Sequence, residues 1–590
     1  MAVDEQRNLF LAILLSLLIL VGFQYFFSPP PPVEDATVSQ EASEGGMVPE
    51  APVLEGDGGG ITPAPPSMQP VASPTEKDEH PSLTREEVLL QSGRVRIETP
   101  QLMGSLALTG ARLDDLTLVK YREALSRESP LITLLSPPGT PDAYFARHGW
   151  TAGAKGVAVP DNKTVWGLSD GKVLSPENPV TLRWDNGQGL VFTKTFEVDD
   201  NFMFTVTQRV ENTGSEKVSL YPYGLISRTG TPSTLGFYIL HEGPLGVFDG
   251  TLEELDYDEL QEEHRIAQTT TGGWLGITDK YWLVALAPDR ENRVNTNFIH
   301  ANVQGRNKYQ ADYLGREFVL ASGGSAEVSS NLFAGAKIVE LLDAYTTTYG
   351  IDRFDLAVDF GWFYFLTKPI FYALNFFNRI FGNFGLGILA LTIIFRLLMY
   401  PLANKSFRAM NAMKKLHPQI TELRERFGED KARMNQEMMA LYKREKVNPA
   451  AGCLPMLVQI PIFFSLYKVL FVSIEMRQAP FYGWIADLSA PDPTSLFNLF
   501  GLLPFDLPSF LHIGVWPILM GLTMYLQQKL NPPPADPVQA KIFMFLPFIF
   551  TILLANFPAG LVIYWAWNNV LSIGQQWFLM KKMDAPAKKS

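Results

Sequence analysis

The stretch Gly385-Leu-Gly-Ile-Leu-Ala-Leu-Thr-Ile-Ile-Phe-Arg-Leu-Leu-Met-Tyr-Pro401 decides how the chain is interpreted. It is an apolar run, long enough with its flanks to cross a bilayer, and it carries one cation, Arg396. A lone cation on a membrane helix costs about 2.5–3.5 kcal/mol on insertion scales, so it persists only where water or a partner reaches it. Within a span over 384–402, Arg396 lies off-centre, toward Lys405 and Arg408. This position predicts a hydrophilic groove open to one side rather than a pore.

Composition limits the classes of function. The chain has 590 residues, of which 46% are apolar and 19% charged. It is too long for one ordinary domain, and its last third is too apolar for a soluble protein. The acidic excess lies in residues 29–82, which hold ten Asp or Glu against Lys77, and nothing predicts a nucleic-acid partner. The single cysteine, Cys453, excludes a disulfide framework, and the seven histidines lack metal-ligand spacing. We expect no metal, cofactor, small-molecule substrate or catalytic residue.

Two segments precede the first folded domain. Residues 1–28 contain an apolar run over 9–27 that is longer than a signal-peptide core and lacks a small-residue cleavage site. It predicts an N-terminal signal-anchor span. Residues 29–87 are rich in proline, glycine and acids, a composition typical of a disordered tether.

Residues 88–345 alternate apolar and polar side chains without intervening helical patterns. The segments 191–198 and 202–210 flank Asp199-Asp200-Asn201, which predicts a hairpin with a short loop. Many short strands joined by turns are typical of a large antiparallel β-sandwich.

The remaining third of the chain predicts a helical membrane region. Residues 356–380 combine many aromatic side chains with a polar face, as in an amphipathic interfacial helix. With the N-terminal anchor, five further apolar runs predict a six-span α-helical bundle, and between them lies a cytoplasmic helical hairpin over 403–448. The five runs are 384–402, 454–472, 513–528, 542–556 and 560–580, and a basic tail follows at 581–590.

Charge bias predicts the orientation. Residues 405–446 hold eleven Lys or Arg, whereas 474–512 hold only Arg477. By the positive-inside rule the first segment is cytoplasmic and the second is outside. Alternation then places both termini in the cytoplasm and residues 29–355 in the periplasm, as expected for a multi-pass protein of a bacterial inner membrane.

Polar side chains recur on several predicted spans. Asn568, Ser572 and either Gln575 or Gln576 follow helical spacing on the last span, Thr392 lies one turn before Arg396, and the third span adds Gln459. They indicate a shared hydrated interior around Arg396; the alternative is interhelical hydrogen bonding that only holds the bundle together. Lys468, near the outer end of the third span, is expected to extend to the lipid headgroups.

The predicted hairpin is amphipathic and rich in methionine. Its methionines are expected either to capture varied apolar segments or to pack against one another while the basic residues face lipid. The residues concerned are Met410, Met413, Met434, Met438 and Met439.

Several motifs make the chain similar to the YidC/Oxa/Alb family of membrane protein insertases. They are Thr392-Ile-Ile-Phe-Arg-Leu-Leu-Met-Tyr-Pro401, Gly452-Cys-Leu-Pro-Met-Leu-Val-Gln-Ile-Pro-Ile-Phe463 and Phe557-Pro-Ala-Gly-Leu-Val-Ile-Tyr-Trp565. The resemblance covers about residues 356–580, and the anchor, tether and large periplasmic domain resemble the Gram-negative members. It implies that the sandwich is a supersandwich of the galactose-mutarotase type without sugar chemistry.

The resemblance also implies roles. Arg396 matches the groove arginine of the family and Thr392 a polar groove neighbour, while 454–472 and 542–556 would form an apolar slide for the client helix. Tyr564 and Trp565 stand where relatives carry two tyrosines, which leaves open which ring faces the groove. The implied partners are nascent membrane proteins, the Sec translocon and the ribosome. The basic tail at 581–590 is short for a segment that would bind the ribosome.

Two other functions are compatible with parts of the pattern. A solute transporter or channel would use Arg396 to bind an anion, although the spans lack the membrane acids typical of ion coupling. A membrane-anchored carbohydrate-active enzyme would place its site in the sandwich, but six spans exceed what anchoring requires.

Overall fold

The computed structural model describes residues 54–55, 59–60, 83–234, 240–427, 430–448, 454–501, 512–530 and 537–584. The predicted anchor, most of the predicted tether, Cys453 and residues 585–590 of the tail lie outside these ranges. Inside the predicted tether, Leu54–Glu55 pairs antiparallel with Gly59–Gly60. Helix Arg85–Leu89 also begins before the predicted boundary at residue 88, because Thr84 and Glu87 form a reciprocal capping box.

Two large sheets form the β-sandwich. The first has nine strands, in spatial order Thr251–Glu254, Gly243–Phe248, Trp274–Thr278, Trp282–Ala287, Ser325–Ala336, Met203–Asn212, Leu190–Val198, Val180–Asp185 and Gly167–Asp170. The second has eleven strands. Nine of them lie in the order Arg265–Thr271, Arg293–Val303, Arg306–Leu314, Val218–Thr229, Tyr144–Ala152, Arg112–Arg122, Leu102–Ala107, Arg94–Glu98 and Val173–Leu174. The other two pair beside this row: Phe318–Leu320 with Val218–Thr229, and Leu131–Leu135 with Arg112–Arg122.

The predicted hairpin is confirmed. Leu190–Val198 pairs antiparallel with Met203–Asn212, and the Asp199 carboxylate accepts the N–H groups of Asn201 and Met203 at 2.9 Å in the turn. The sandwich is not purely antiparallel, because Arg94–Glu98 pairs parallel with Val173–Leu174. Apolar side chains fill the space between the sheets, and the buried Tyr144 hydroxyl donates across it to the Ile277 carbonyl at 3.2 Å.

Helices dominate beyond the sandwich, which itself contains the short helix Tyr257–Glu263. In chain order they are Val339–Thr348, Tyr364–Phe381, Phe384–Leu398, Tyr400–Phe427, Lys431–Arg444, Leu454–Val472, Val515–Leu530, Pro537–Leu553 and Ala559–Asp584, with 3-10 turns at Phe354–Ala357, Ile474–Met476 and Leu496–Gly501. We call Phe384–Leu398 the arginine helix, Tyr400–Phe427 and Lys431–Arg444 the hairpin helices, and Ala559–Asp584 the terminal helix.

Two helices are shorter than the sequence predicted. The interfacial helix, predicted from 356, begins at Tyr364 because Gly361 turns the chain with a φ of +68°. The arginine helix, predicted to reach 402, ends at Leu398, and the chain continues in the first hairpin helix at an angle of 64°. Pro401 explains this bend, because its ring excludes a continuous helix and it has no N–H to donate.

Length and hydropathy identify one candidate membrane crossing among the described helices. No single one of them is both long enough and apolar enough, but the arginine helix and Tyr400–Leu416 satisfy the criterion as a bent pair. Leu457–Val472 and Ala540–Leu553 are shorter apolar helices.

The sandwich and the helical region share a continuous apolar core and several ion pairs. One cluster of buried side chains includes Phe333 in the sandwich and Leu470 in the helical region. Lys368 of the interfacial helix lies 2.7 Å from carboxylate oxygens of both Asp343 and Asp355, which raises the pKa of that lysine despite its partial burial.

Lys468 also contributes to this junction. Its ammonium lies 2.7 Å from Asp359 Oδ2, and the two side chains are 12% and 19% exposed. The expectation that Lys468 extends to the headgroups is therefore wrong. Asp359 lies within reach of the ammonium and stabilises it inside the protein, so the side chain does not extend to the lipid headgroups.

Candidate functional site

Arg396 is held against the terminal helix by neutral groups. Its Nε donates to Asn568 Oδ1 at 2.8 Å, and its Nη2 donates to the Asn568 carbonyl at 3.1 Å and to the Ser572 hydroxyl. The side chain is half-buried, and no carboxylate of a described residue lies within ion-pair distance of it. A guanidinium has five N–H donors, so these three bonds leave further donors for a ligand.

A stripe of polar side chains on the terminal helix provides these acceptors. Tyr564, Asn568, Ser572 and Gln576 follow one another at intervals of four residues, and all four are buried. Residues four apart share one face of a helix, so the stripe is aligned with the arginine helix through Asn568 and Ser572. Of the two glutamines that the sequence left open, Gln576 is the more buried, at 5% exposed.

Asn569 serves a different purpose. Its side-chain amide donates to the Thr523 hydroxyl at 3.3 Å and so joins the terminal helix to Val515–Leu530. For this residue the alternative expectation, hydrogen bonding that holds helices together, describes the structure.

Thr392 lies one turn before Arg396, as its spacing requires, but it offers little to a ligand. Its hydroxyl donates at 2.6 Å to the Ile388 carbonyl of its own helix, and the residue is only 2% exposed. A Thr in a helix commonly satisfies its hydroxyl in this way, which sequence spacing alone does not reveal. The Thr392 hydroxyl is therefore satisfied within the arginine helix.

The two aromatic residues on the terminal helix diverge. The Tyr564 hydroxyl lies near enough to the Gln459 side chain and to Arg396 to interact electrostatically with both. The Trp565 ring instead contacts Phe463 edge-on, with ring centroids 4.8 Å apart, and Phe550, with centroids 5.6 Å apart. Tyr564 thus belongs to the Arg396 cluster, whereas Trp565 packs among the apolar helices.

The hairpin methionines do not form one surface. The hairpin core consists of Leu416, Ile420 and Leu441, and Met438 packs against it. Met439 is 53% exposed, while Met413 and Met434 are half-buried. Met410 lines a cavity between the first hairpin helix and the terminal helix. Met438 therefore packs in the hairpin core, whereas the capture of apolar segments by the hairpin methionines stays a prediction.

The arrangement that emerges is a β-sandwich joined to a helical bundle in which one arginine, bonded only by neutral partners, faces a polar stripe. A guanidinium held in this way by neutral partners is able to bind a negative charge. The described residues also contain no group of three or more His, Cys, Asp or Glu placed to hold a metal ion.

Comparison with known proteins assigns this arrangement to a family. The family model described as the YidC periplasmic domain matches residues 94–373, and the model described as the 60Kd inner membrane protein matches 376–588. The membrane protein insertase YidC of Methylobacterium nodulans is 49% identical, with 98% of this chain and 95% of that one covered. The YidC of Sinorhizobium fredii is 48% identical, with 98% and 96% covered.

A solved structure of an active YidC insertase, with its first transmembrane domain resolved, is 17% identical and covers 82% of this chain and 91% of that one, with a TM-score of 0.32. On the strength of the near-full-length relatives, the chain belongs to the YidC family of membrane protein insertases. It is an insertase and chaperone rather than an enzyme, and the solute-transporter alternative is not favoured.

Proposed function

We propose that the chain inserts a client membrane protein by holding an acidic residue of the client's translocated tail at Arg396. The observation that carries this proposal is the set of neutral partners around a half-buried guanidinium. Those partners orient the side chain and stabilise it in part, but they leave its charge uncompensated. A client carboxylate supplies the missing charge.

The energetic scale supports this role. Moving an aspartate to the centre of a bilayer costs about 2.5–3.5 kcal/mol on insertion scales. A hydrogen bond to a charged group contributes roughly 1.5–3 kcal/mol. An ion pair at Arg396 therefore offsets a large part of the barrier for the polar tail, with no covalent chemistry and no cofactor.

Exposed apolar faces on two helices support lateral release of the client. Leu454–Val472 exposes Leu457 at 61% and Phe464 at 45%, and Pro537–Leu553 exposes Phe548 at 59% and Ile552 at 59%. In the proposed pathway the apolar helix of the client leaves the groove along these faces into lipid.

The proposed membrane arrangement retains six spans. The N-terminal anchor is one, the bent pair that begins with the arginine helix is the second, and Leu454–Val472, Val515–Leu530, Pro537–Leu553 and the terminal helix supply the others. The exposed aromatic face of Tyr364–Phe381, with Phe365 73% exposed, suits the headgroup layer. The charge bias places both termini in the cytoplasm and residues 29–355 in the periplasm of a bacterial inner membrane.

The proposed partners follow from the family and from charge. Nascent membrane proteins are the clients, and the Sec translocon and ribosome are partners implied by the resemblance alone. The eleven basic residues between 405 and 446 suit contact with anionic lipid.

Replacing Arg396 tests the proposal. In a strain depleted of its own insertase, R396A is expected to abolish insertion of single-span clients with acidic translocated tails, while R396K retains part of it because the charge remains. Membrane levels of the variant, measured by immunoblot, control for folding. Normal insertion of these clients by R396A would refute the role, and Arg396-dependent solute flux in protein-containing vesicles would favour a transporter.

A further inference from the structure

A cavity lies between the first hairpin helix and the terminal helix, beyond the Arg396 cluster. Apolar side chains form most of its wall, and two amides and one cation complete it. The residues that matter here are Met410, Asn411 and Lys414 on the hairpin helix and Gln576, Leu579 and Met580 on the terminal helix.

The polar stripe connects this cavity to Arg396. Gln576 lines the cavity and lies four residues beyond Ser572, which bonds Arg396. Four residues advance a helix by about 6 Å, so the cavity is one turn further toward the hairpin end of the bundle. A chain that approaches Arg396 from the hairpin side therefore meets the cavity first.

Lys414 gives the cavity its charge. Its side chain is exposed, and none of the carboxylates in the described ranges forms an ion pair with it. The lining otherwise offers only neutral amides and flexible apolar groups, including two methionines that adapt to varied shapes. One cation beside an apolar wall matches a peptide that carries an acidic residue next to apolar ones. A phosphate group would more typically be met by several basic residues or by arginine.

We infer that this cavity is a vestibule in which Lys414 holds an acidic residue of the client before Arg396 receives it. The inference rests on the proposed function and extends it, since it assigns a second, earlier positioning residue to the same pathway. Lys414 acts as an exposed point charge, whereas Arg396 acts as an oriented guanidinium deeper in the groove.

The test uses the full-length protein in vesicles of zwitterionic lipid, with matched clients whose tails carry Asp and Glu or, instead, Asn and Gln. K414E is expected to slow insertion of the acidic client by roughly fivefold, the scale of an exposed ion pair, and to leave the neutral client unchanged. K415E is the control, because Lys415 is also exposed and adjacent but does not line the cavity. A client with Lys in its tail should be inserted faster by K414E than by the unmodified protein.

Three results would overturn the inference. Equal slowing of both clients by K414E would indicate a structural role, and equal effects of K414E and K415E would indicate general surface charge. An effect that appears only when anionic lipid is included would assign the cavity to a lipid headgroup. If R396A slows the acidic client more than the neutral client and K414E does not, the proposed function of Arg396 stands and the role inferred for Lys414 is wrong.

Discussion

Two partly buried cations in the helical region lie in opposite surroundings. Lys468 has an internal carboxylate partner, Asp359, at 2.7 Å. Arg396 contacts an amide oxygen, a backbone carbonyl and a hydroxyl. Burial of an unpaired charge costs several kcal/mol, and only Lys468 has a permanent opposite charge to offset that cost.

The difference separates Lys468, whose charge has a structural partner, from Arg396, whose charge the proposed function assigns to client binding. The fold supplies a carboxylate where the sandwich meets the helices, so it is able to neutralise a cation when stability requires it. At Arg396 the part of the chain that the structure describes supplies neutral acceptors, which fix the orientation of the guanidinium and, in the proposed function, leave its charge for the client. Insertase activity is thus expected to depend on keeping Arg396 without an internal counter-ion.

Breaking the internal pair is expected to give the largest effect on stability. Asp359→Asn removes the carboxylate that lies 2.7 Å from the Lys468 ammonium and should lower the free energy of unfolding by about 2–3 kcal/mol, because both side chains are mostly buried. Denaturant unfolding of the purified protein measures this loss. Asp359→Leu combined with Lys468→Met should recover part of it, since the positive charge of Lys468 is then removed together with the carboxylate beside it. No change in stability for Asp359→Asn would contradict the structural role.

Supplying Arg396 with the kind of partner that Lys468 has should inhibit the protein. Ser572→Asp places a carboxylate where a hydroxyl now accepts from Arg396, so it should compete with the client and slow insertion by about tenfold, equivalent to about 1.4 kcal/mol. Insertion assays in vesicles measure the rate. Ser572→Asn is the uncharged control and should retain most of the activity. Full activity of a folded Ser572→Asp variant would show that Arg396 does not need to be unpaired.

A smaller, pH-dependent effect is expected at the junction of the sandwich and helices. Burial raises the pKa of Glu475 to about 7, although its Oε1 accepts the Val339 N–H at 3.0 Å. The folded state therefore binds the proton more tightly than the unfolded state, so stability is highest below about pH 4.5 and falls as the pH rises to about 7.

Glu475→Gln keeps the amide oxygen as an acceptor and removes the titration. Unfolding measured between pH 5 and 8 should therefore show a flatter profile for Glu475→Gln than for the unmodified protein. Identical pH profiles would show that Glu475 does not titrate in this window.

The sequence predicted those parts of the molecule that depend on local pattern. Alternation identified the sandwich and the 191–210 hairpin. Apolar runs located Leu454–Val472, Val515–Leu530, Pro537–Leu553 and Ala559–Asp584 to within about five residues of their observed bounds. The bend after Leu398 was missed because the hydropathy of the run continues to Leu402, while the backbone is interrupted by Pro401. A capping box places the helix Arg85–Leu89 partly inside the predicted tether.

The sequence predicted which residues form the candidate site better than it predicted the contacts that their side chains make. Helical spacing identified Arg396, Asn568 and Ser572, which the structure brings together. Spacing did not reveal that Thr392 bonds its own helix or that Trp565 packs away from Arg396, since both depend on side-chain rotation and on neighbouring helices. The Lys468–Asp359 pair joins residues 109 apart in sequence, so no local pattern could have indicated it.

The most direct test of the unpaired guanidinium is a double-mutant cycle between Arg396 and a client carboxylate. Insertion rates would be measured in vesicles for the unmodified protein and R396A, each with a client whose tail carries one Asp or an Asn in its place. A direct ion pair predicts a coupling energy of roughly 1.5–3 kcal/mol between the two substitutions. Additive effects, with a coupling energy near zero, would contradict it.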